Sequence, residues 1–133
     1  MKRLLIIDDD ASVVNWLSEA LQEEGYLVST ELSAPRALQR LGEERFDLVI
    51  SDIEMPELRG LELLRSLTAT RPEQLVLLIT AFGSIDLAME SVRAGAVDFL
   101  AKPFRIEALV LAIERALRER QLRREVVRLR EAV

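Results

Sequence analysis

Polar side chains that could carry chemistry follow four of the five short apolar runs of this chain. They are Asp8, Asp9 and Asp10 after the first run, Ser51 and Asp52 after the third, Thr80 after the fourth and Lys102 after the fifth. If the runs are parallel strands, their carboxyl ends meet at one edge of a sheet, where ligands of such sheets bind. The sequence therefore predicts carboxylates, hydroxyls and one amine gathered in a single crevice.

Carboxylates gathered in a crevice repel one another, so a nearby positive charge must compensate them. Mg²⁺ is held in proteins by one or two carboxylates and completes its octahedron with water and phosphate oxygens. A carboxylate can also attack phosphorus and form an acyl phosphate. A metal, a lysine and a hydroxyl would then share the equatorial oxygens of the transferring group. This set of residues favours phosphoryl transfer assisted by Mg²⁺.

Each of these residues also has a structural alternative. The aspartate run caps a following helix equally well, Asp52 resembles an ordinary loop acid, and Thr80 a turn hydroxyl. Lys102 carries more weight, because the chain has 16 Arg and only two Lys, the other being Lys2. A single interior lysine in such a sequence indicates that a compact point charge is needed at that position.

Composition removes several function classes. The chain has 133 residues, no Cys and no His, which excludes thiol nucleophiles, Ser-His-Asp triads and zinc sites built on these side chains. Its net charge of −5 argues against nucleic-acid binding. No apolar run approaches the roughly 18 residues of a membrane span, so a soluble, cytoplasmic protein is expected.

Alternating apolar runs and helical patterns predict an α/β fold. The runs are Leu4–Ile7, Tyr26–Val28, Leu48–Ile50, Leu75–Ile79 and Val97–Leu100. Four of them are nearly continuous, as in parallel strands buried on both faces, and the second is expected at an edge. Five βα units predict a flavodoxin-like, doubly wound parallel sheet of order 2-1-3-4-5.

Helices are predicted between and after these strands from apolar spacing and from their termini. Gly25 and Gly95 are expected to end the first and fourth helices, and Ser33 and Ser84 to cap the second and fourth. The side chains expected to face the core are Val13, Val14, Leu17 and Leu21; Ala37, Leu38 and Leu41; Leu61, Leu64 and Leu67; Ile85, Ala88, Met89 and Val92; and Ile106, Leu109, Val110, Ile113 and Leu117.

Four motifs in this order and spacing resemble the receiver domain of a bacterial two-component response regulator. They are Ile6–Asp10, Ile50–Pro56, Leu78–Ala81 and Asp98–Phe104. The stretch from Ala81 to Phe104 is similar to the enhancer-binding subgroup, which includes the nitrogen-regulatory and C4-dicarboxylate regulators. There a receiver precedes an AAA+ ATPase and a DNA-binding domain, so the resemblance implies an output domain after this chain that controls transcription.

The resemblance also implies roles for the residues at the strand ends. Asp52 would accept a phosphoryl group from a sensor histidine kinase. Asp8 and Asp9 would form an acidic pocket, with Asp9, Asp52 and the backbone carbonyl of Glu54 binding Mg²⁺ directly. The domain would catalyse only its own phosphorylation and dephosphorylation. Glu54, two residues after the acceptor, is at a position that often modulates the rate of dephosphorylation in this family.

Three further positions are implied to read the phosphoryl group. Thr80 would hydrogen-bond it and Lys102 would pair with it. Phe99 would be the switch aromatic that turns inward when Thr80 is drawn to the phosphate, on a face formed by the fourth helix, fifth strand and fifth helix. The Lys102–Pro103 bond is expected to be cis by the same resemblance.

Two alternative functions fit the sequence less well. A haloacid-dehalogenase-type aspartyl-phosphate phosphatase uses similar residues, but its nucleophile lies on the first strand within Asp-x-Asp and its acid pair comes last. Here the acid pair comes first and Ile53-Glu54 follows Asp52. A flavin or nucleotide carrier is disfavoured, since no glycine-rich phosphate loop follows the first strand.

The last residues form a basic tail with its own pattern. Residues 114–133 hold seven Arg and four Glu. Leu122, Val126, Leu129 and Val133 follow the 4-3-4 spacing of a coiled-coil seam. We expect a receiver domain over residues 1–118 and the start of a helical, coiled-coil linker over residues 119–133, favouring a homodimer. A frayed solvated helix and an arginine-rich DNA-binding arm are the alternatives, the arm disfavoured by interrupting glutamates.

Overall fold

The computed structural model describes residues 1–55, 60–80 and 85–132, apart from the side chains of residues 60, 61, 85, 87 and 88. Strands and helices alternate through these ranges. The strands are β1 (Arg3–Ile7), β2 (Leu27–Glu31), β3 (Leu48–Asp52), β4 (Val76–Thr80) and β5 (Asp98–Ala101). The helices are α1 (Ala11–Glu23), α2 (Ala34–Glu43), α3 (Gly60–Thr70), α4 (Ile85–Arg93) and α5 (Ile106–Ala132).

All strand pairs are parallel and the order is β2-β1-β3-β4-β5, which confirms the predicted topology. The strand order reverses between β1 and β3, so the connections from these neighbouring strands leave to opposite sides. That divergence opens a crevice beyond their carboxyl ends. We call this side of the sheet the carboxyl edge, and the side where the strands begin the amino edge.

The core forms one layer on each face of the sheet. Leu5 and Ile7 of β1 point into the layer that holds the buried side chains of α2 and α3. Leu4 and Ile6 point into the layer formed with α1 and α5. This alternation follows from the two-residue period of a strand, and burial on both faces explains why β1, β3 and β4 each contain a continuous apolar run.

The predicted helix termini are found where they are described. Gly25 has φ +97° and Gly95 has φ +113°, a conformation that few side chains tolerate and that ends α1 and α4. Ser33 caps α2 by accepting a hydrogen bond from the backbone N–H of Arg36. The predicted cap Ser84 lies outside the described residues.

The interpretation of α4 was wrong for two of its four residues. Met89 and Val92 are 51% and 47% exposed, whereas Ser91 is fully buried. Met89 and Ser91 are two positions apart, which corresponds to a rotation of about 200° around the helix. The face that contains Ser91 is therefore buried, and Met89 on the predicted stripe faces solvent. Met89 and Val92 therefore do not mark the core side of this helix.

Two smaller differences concern β2 and α3. β2 begins at Leu27 and continues to Glu31, beyond the predicted Tyr26–Val28, because polar residues suit its position at the edge of the sheet. In α3, Leu63 is buried together with Leu64 and Leu67, and the side chain of Leu61 is not described.

Arginines and acids form a paired network at the amino edge. The carboxylate of Asp47 accepts hydrogen bonds from the backbone N–H of Arg3 (2.8 Å) and from the guanidinium of Arg120 (2.8 Å). Arg120 also donates to the Asp47 carbonyl oxygen at 3.0 Å. Glu44 lies between Arg3 (2.9 Å) and Arg40 (2.7 Å). This network joins α5 to the segment that leads into β3.

α5 continues as one helix through residue 132, far beyond its last buried residue, Ala116. The seam residues Leu122, Val126 and Leu129 are exposed along this extension. The helical tail is confirmed, and its pairing with another chain stays a prediction. None of the helices in the described part of the chain combines the length and apolar character that a bilayer crossing requires.

Candidate functional site

Three carboxylates converge at the carboxyl edge as the sequence predicts. Asp8 and Asp9 directly follow β1, and Asp52 is the last residue of β3. One oxygen of each of these side chains lies within 4.8 Å of the others. Their convergence follows from the pairing of β1 with β3, in which Ile7 is opposite Ser51.

Asp8 lies at the bottom of this cluster and is 2% exposed. Its Oδ1 accepts a hydrogen bond from the backbone N–H of Asp10 at 2.9 Å. Its Oδ2 is buried without a hydrogen bond in the described part of the chain and lies 3.6 Å from Lys102 Nζ. Burial raises the pKa of Asp8, and the charges of Asp52 and Asp9 raise it further. The negative charge here is only partly compensated.

The carboxylate of Asp52 is held from both oxygens. Oδ1 accepts a hydrogen bond from the backbone N–H of Glu54 at 3.1 Å, and Oδ2 lies 3.3 Å from Lys102 Nζ. The backbone is held as well, since Ile53 N–H donates to the Ile79 carbonyl oxygen at 2.9 Å. The side chain is largely buried but reaches the crevice, so it is fixed in orientation and open to a small ligand.

Lys102 provides the positive charge among these carboxylates. Its backbone N–H donates to the Thr80 carbonyl oxygen at 2.7 Å, which fixes the start of its loop against β4. Burial of the amine would lower its pKa, but Asp52 and Asp8 outweigh that effect and raise it. The amine is therefore a fixed positive charge at neutral pH. The Lys102–Pro103 bond is cis, as expected.

Thr80 and Phe99 lie on one face of the sheet on neighbouring strands. Leu78 pairs with Phe99 and belongs to the core layer against which Phe99 packs. Thr80, two residues after Leu78, points to the same side. Thr80 is buried and Phe99 is partly buried. The two side chains are thus placed as a coupled pair requires, and the switch itself stays a prediction.

The three consecutive aspartates serve two roles, helix capping and formation of the acidic cluster. Asp10 is the N-cap of α1, where its carboxylate accepts from the backbone N–H (3.0 Å) and the hydroxyl (2.6 Å) of Ser12. Those hydrogen bonds lower the pKa of Asp10. Asp8 and Asp9 belong to the acidic cluster. One run therefore supplies both a helix cap and a charged site.

The residues present fit a hard divalent cation. The donor set consists of carboxylate oxygens alone, which suits Mg²⁺. The buried Asp8 Oδ2, which lacks a hydrogen bond in the described ranges, is an oxygen that a cation or its water shell would satisfy. The Glu54 side chain is exposed and its backbone turns over Asp52, so the role predicted for its carbonyl oxygen stays a prediction.

An aromatic pair that involves the loop after Lys102 was not predicted from the sequence. Trp16 of α1 is about half exposed, and its ring lies 6.0 Å from that of Phe104 in the loop after Lys102. The signal was available, since Trp16 is the only tryptophan of the chain and lies off the inward stripe of its helix. A large exposed aromatic side chain is typical of a contact surface.

Comparison with known proteins agrees with this geometry. A family model described as the response regulator receiver domain matches residues 4–114. The alginate biosynthesis transcriptional regulatory protein AlgB of Pseudomonas aeruginosa is 37% identical over 120 residues, covering 90% of this chain and 27% of that protein. The C4-dicarboxylate transport transcriptional regulatory protein DctD of Rhizobium meliloti is 38% identical over 129 residues, covering 97% and 28%.

Solved structures show the same likeness. NtrX from Brucella abortus superposes with a TM-score of 0.92 at 35% identity, covering 99% of this chain and 31% of that one. A receiver domain protein from Clostridium thermocellum gives 0.88 at 30% identity, covering 92% and 98%. The chain thus spans under a third of the length of the curated relatives named here and nearly all of a single-domain one.

Proposed function

The chain belongs to the response regulator receiver family and is related to enhancer-binding transcription regulators, and from this we propose that Asp52 accepts a phosphoryl group from a sensor histidine kinase in the presence of Mg²⁺. Family membership favours this function over a haloacid-dehalogenase-type phosphatase. The observation that carries the proposal is the cluster of Asp8, Asp9 and Asp52 at the carboxyl edge, with the Lys102 amine beside Asp8 and Asp52.

In the proposed transfer, an oxygen of Asp52 forms a bond to phosphorus while the bond from phosphorus to the donor's imidazole nitrogen breaks. The electron pair of that bond leaves with the imidazole. The Glu54 N–H and the Lys102 amine hold the Asp52 carboxylate from its two oxygens, so the attacking group is oriented in advance. Lys102 also faces the charge that develops on the phosphoryl oxygens.

Asp8, Asp9 and Asp52 are the residues that would hold Mg²⁺, together with the Glu54 carbonyl oxygen. When bound, the cation neutralises charge shared between the carboxylates and the phosphoryl oxygens. Asp8 and Asp9 supply the negative potential that attracts it. Thr80 donates its hydroxyl hydrogen to a phosphoryl oxygen, and Phe99 follows Thr80 because both lie on one face of the sheet.

The test is phosphorylation by acetyl phosphate with Mg²⁺, followed by intact-protein mass spectrometry. The wild-type chain is expected to gain one phosphoryl group and Asp52→Asn none. Asp10→Asn is the matched control, because asparagine caps a helix as well as aspartate does and Asp10 lies outside the cluster. Phosphorylation of Asp52→Asn, or equal loss in Asp10→Asn, would overturn the assignment of Asp52.

The surface formed by Trp16 and Phe104 is proposed to receive the kinase. The two rings lie 6.0 Å apart, Phe104 comes two residues after Lys102, and exposed large aromatics often anchor protein partners. Trp16→Ala is expected to slow transfer from the kinase and to leave phosphorylation by acetyl phosphate unchanged. Leu111→Ala, an exposed apolar residue of α5, is the control. Equal slowing with both donors would place the effect in the acceptor site instead.

Signal output is proposed to pass through a homodimer and an output domain that follows α5. Met89 on α4 and Leu111 on α5 are exposed apolar side chains, and the seam residues of the tail extend the apolar surface. Phosphorylation is proposed to change the geometry or affinity of this dimer. A change of 1.4 kcal/mol in association free energy corresponds to about tenfold in the dimer constant, which sedimentation resolves with and without beryllofluoride.

Two adjacent valines provide a matched test of the seam. Val126 belongs to the 4-3-4 seam and Val127 does not, although they are 47% and 52% exposed. Val126→Gln is expected to weaken dimerisation by about tenfold, as loss of a buried seam residue does. Val127→Gln is expected to have no effect. A tail truncation should retain Arg120, because removal of Arg120 breaks its contact with Asp47. If both variants sediment alike, the tail is a solvated helix and does not form the proposed seam.

A further inference from the structure

A second concave surface lies at the amino edge, on the side of the sheet opposite Asp52. It is a cleft of about 550 Å³. Arginines from four separate segments line it, namely Arg3 of β1, Arg45 before β3, Arg71 after α3, and Arg120 and Arg124 of α5. We call it the arginine cleft. Because its walls come from distant parts of the chain, its shape depends on the folded domain.

The arginine cleft is strongly positive in a chain of net charge −5. Its five arginines face two acids, Asp47 and Glu73, which leaves an excess of three positive charges. The Asp47 carboxylate is already engaged by the Arg3 backbone N–H and by Arg120. The Arg3 guanidinium is engaged by Glu44 and the Arg45 carbonyl oxygen. The charge excess therefore falls on the remaining arginines.

Three guanidinium groups of the arginine cleft have no carboxylate partner among the described residues. Arg71 donates to the Glu44 carbonyl oxygen at 3.1 Å, a neutral acceptor. The guanidinium groups of Arg45 and Arg124 make no hydrogen bond or ion pair within residues 1–55, 60–80 and 85–132. Like charges gathered in a concave surface raise the local potential and favour an anion that would bridge them.

We propose that the arginine cleft binds a small phosphate-bearing polyanion, a function separate from the phosphoacceptor site. The planar fork of a guanidinium matches two phosphate oxygens, and several forks on rigid segments favour a ligand with several phosphates. The aromatic ring of the cleft, Phe46, is buried and covered by the guanidinium groups of Arg3 and Arg40. No aromatic ring of the described cleft is thus free to stack on a base, so recognition rests on the phosphates.

Binding would also involve the helical tail, because Arg120 and Arg124 belong to α5 beyond its last buried residue. Arg120 is held by Asp47, whereas Arg124, one turn later, is exposed. A polyanion that bridges Arg124 to Arg45 or Arg71 would therefore fasten a further turn of the tail against the domain.

The test is calorimetric titration of the whole chain with inorganic tripolyphosphate in EDTA, which keeps divalent cations away from the carboxyl edge. Saturable binding of one ligand per chain is expected. Arg45→Gln/Arg124→Gln should weaken it by at least about tenfold, since two charge-assisted hydrogen-bonding groups are lost. Arg115→Gln/Arg118→Gln removes the same charge from exposed positions of α5 outside the cleft and should change affinity less than about twofold.

Three results would overturn the proposal. They are binding that does not saturate, equal weakening in the two double variants, and binding of citrate as tight as that of tripolyphosphate. The first two indicate attraction by overall charge, and the third shows that phosphate is not selected. Retention of Asp52 phosphorylation in Arg45→Gln/Arg124→Gln keeps this test independent of the proposed receiver function.

Discussion

Aspartates occupy both edges of the sheet in opposite electrostatic settings. At the carboxyl edge, Asp8, Asp9 and Asp52 lie together, one amine contacts two of them, and Asp8 Oδ2 has no hydrogen bond in the described ranges. At the amino edge, Asp47 receives a backbone N–H and a guanidinium of its own. β3 connects these settings, since Asp47 directly precedes it and Asp52 is its last residue.

The pKa shifts express the same difference. Burial alone would raise the pKa of Asp47, but the Arg3 N–H and Arg120 outweigh it and lower the pKa below 3.8. Burial raises the pKa of Asp8 above 3.8, and neighbouring carboxylates add to the effect. An ionised Asp47 therefore stabilises the folded chain, whereas an ionised Asp8 destabilises it. The edge that could bind a cation is the edge where charge is left uncompensated.

The largest stability effect is expected at the amino edge. Asp47→Asn should lower the free energy of unfolding by about 2 kcal/mol, because a partly buried charged acceptor loses its strength while its donors remain. Urea unfolding at pH 7 in EDTA measures this change. Glu19→Gln, an exposed acid of α1, is the control and should change stability by less than about 0.5 kcal/mol. A similar loss in both variants would show that Asp47 is not special.

Mg²⁺ should stabilise the chain through the carboxyl edge alone. At a concentration ten times its dissociation constant, it should add about 1.4 kcal/mol to the free energy of unfolding. The same increment is expected in Asp47→Asn, since distant sites contribute additively, and none in Asp9→Ala. Urea unfolding with and without Mg²⁺ measures this increment. An increment that survives in Asp9→Ala would contradict the proposed ligand set.

The same chemical change as at Asp47 should have the opposite sign at Asp8. Asp8→Asn removes one of three neighbouring negative charges and retains an oxygen for the Asp10 N–H. It should raise the free energy of unfolding by on the order of 1 kcal/mol at pH 7 without Mg²⁺. Urea unfolding beside the Asp47→Asn variant makes the comparison direct. Destabilisation by Asp8→Asn would mean that its contact with Lys102 outweighs the repulsion.

Lowering the pH should change the stability effects of Asp8→Asn and Asp47→Asn differently. The expected difference is a fraction of the energies given above. Asp8 in the folded chain takes up its proton above 3.8, so the advantage of Asp8→Asn should shrink as pH falls from 7 to about 4.5. Asp47 keeps its charge when folded until pH falls below 3.8, so the deficit of Asp47→Asn should persist over that range. Unfolding curves at the two pH values measure both, and parallel changes would refute the opposite shifts.

Much of the carboxyl edge follows from local sequence. The ends of apolar runs identify Asp8, Asp9, Asp52, Thr80 and Lys102 because the topology of a parallel βα sheet brings all strand ends to one side. The predicted core side of α4 was wrong for Met89 and Val92, which are exposed, whereas Ser91 is buried among the described side chains of that helix. Helical periodicity shows which residues share a face but not which face the sheet covers.

The amino edge could not be predicted in the same way. Asp47 and Arg120 are separated by 73 positions, and neither has a local motif that indicates its partner. The contact exists because α5 crosses the sheet and brings its last packed turn to the loop before β3. Ion pairs of this kind follow from the packed structure, whereas the site residues follow from the order of the strands.

The contact between Arg120 and Asp47 anchors the long helix α5 to the domain, and the helix can tilt about this point. From Arg120, the helix continues to Ala132, a distance of about 18 Å at 1.5 Å per residue. A tilt of about 10° at that point would displace the end of this arm by about 3 Å, close to half a helical pitch. β3 connects this anchored point to Asp52, because Asp47 directly precedes the strand and Asp52 is its last residue. A movement too small to disturb the core would thus produce a much larger displacement at the far end of α5.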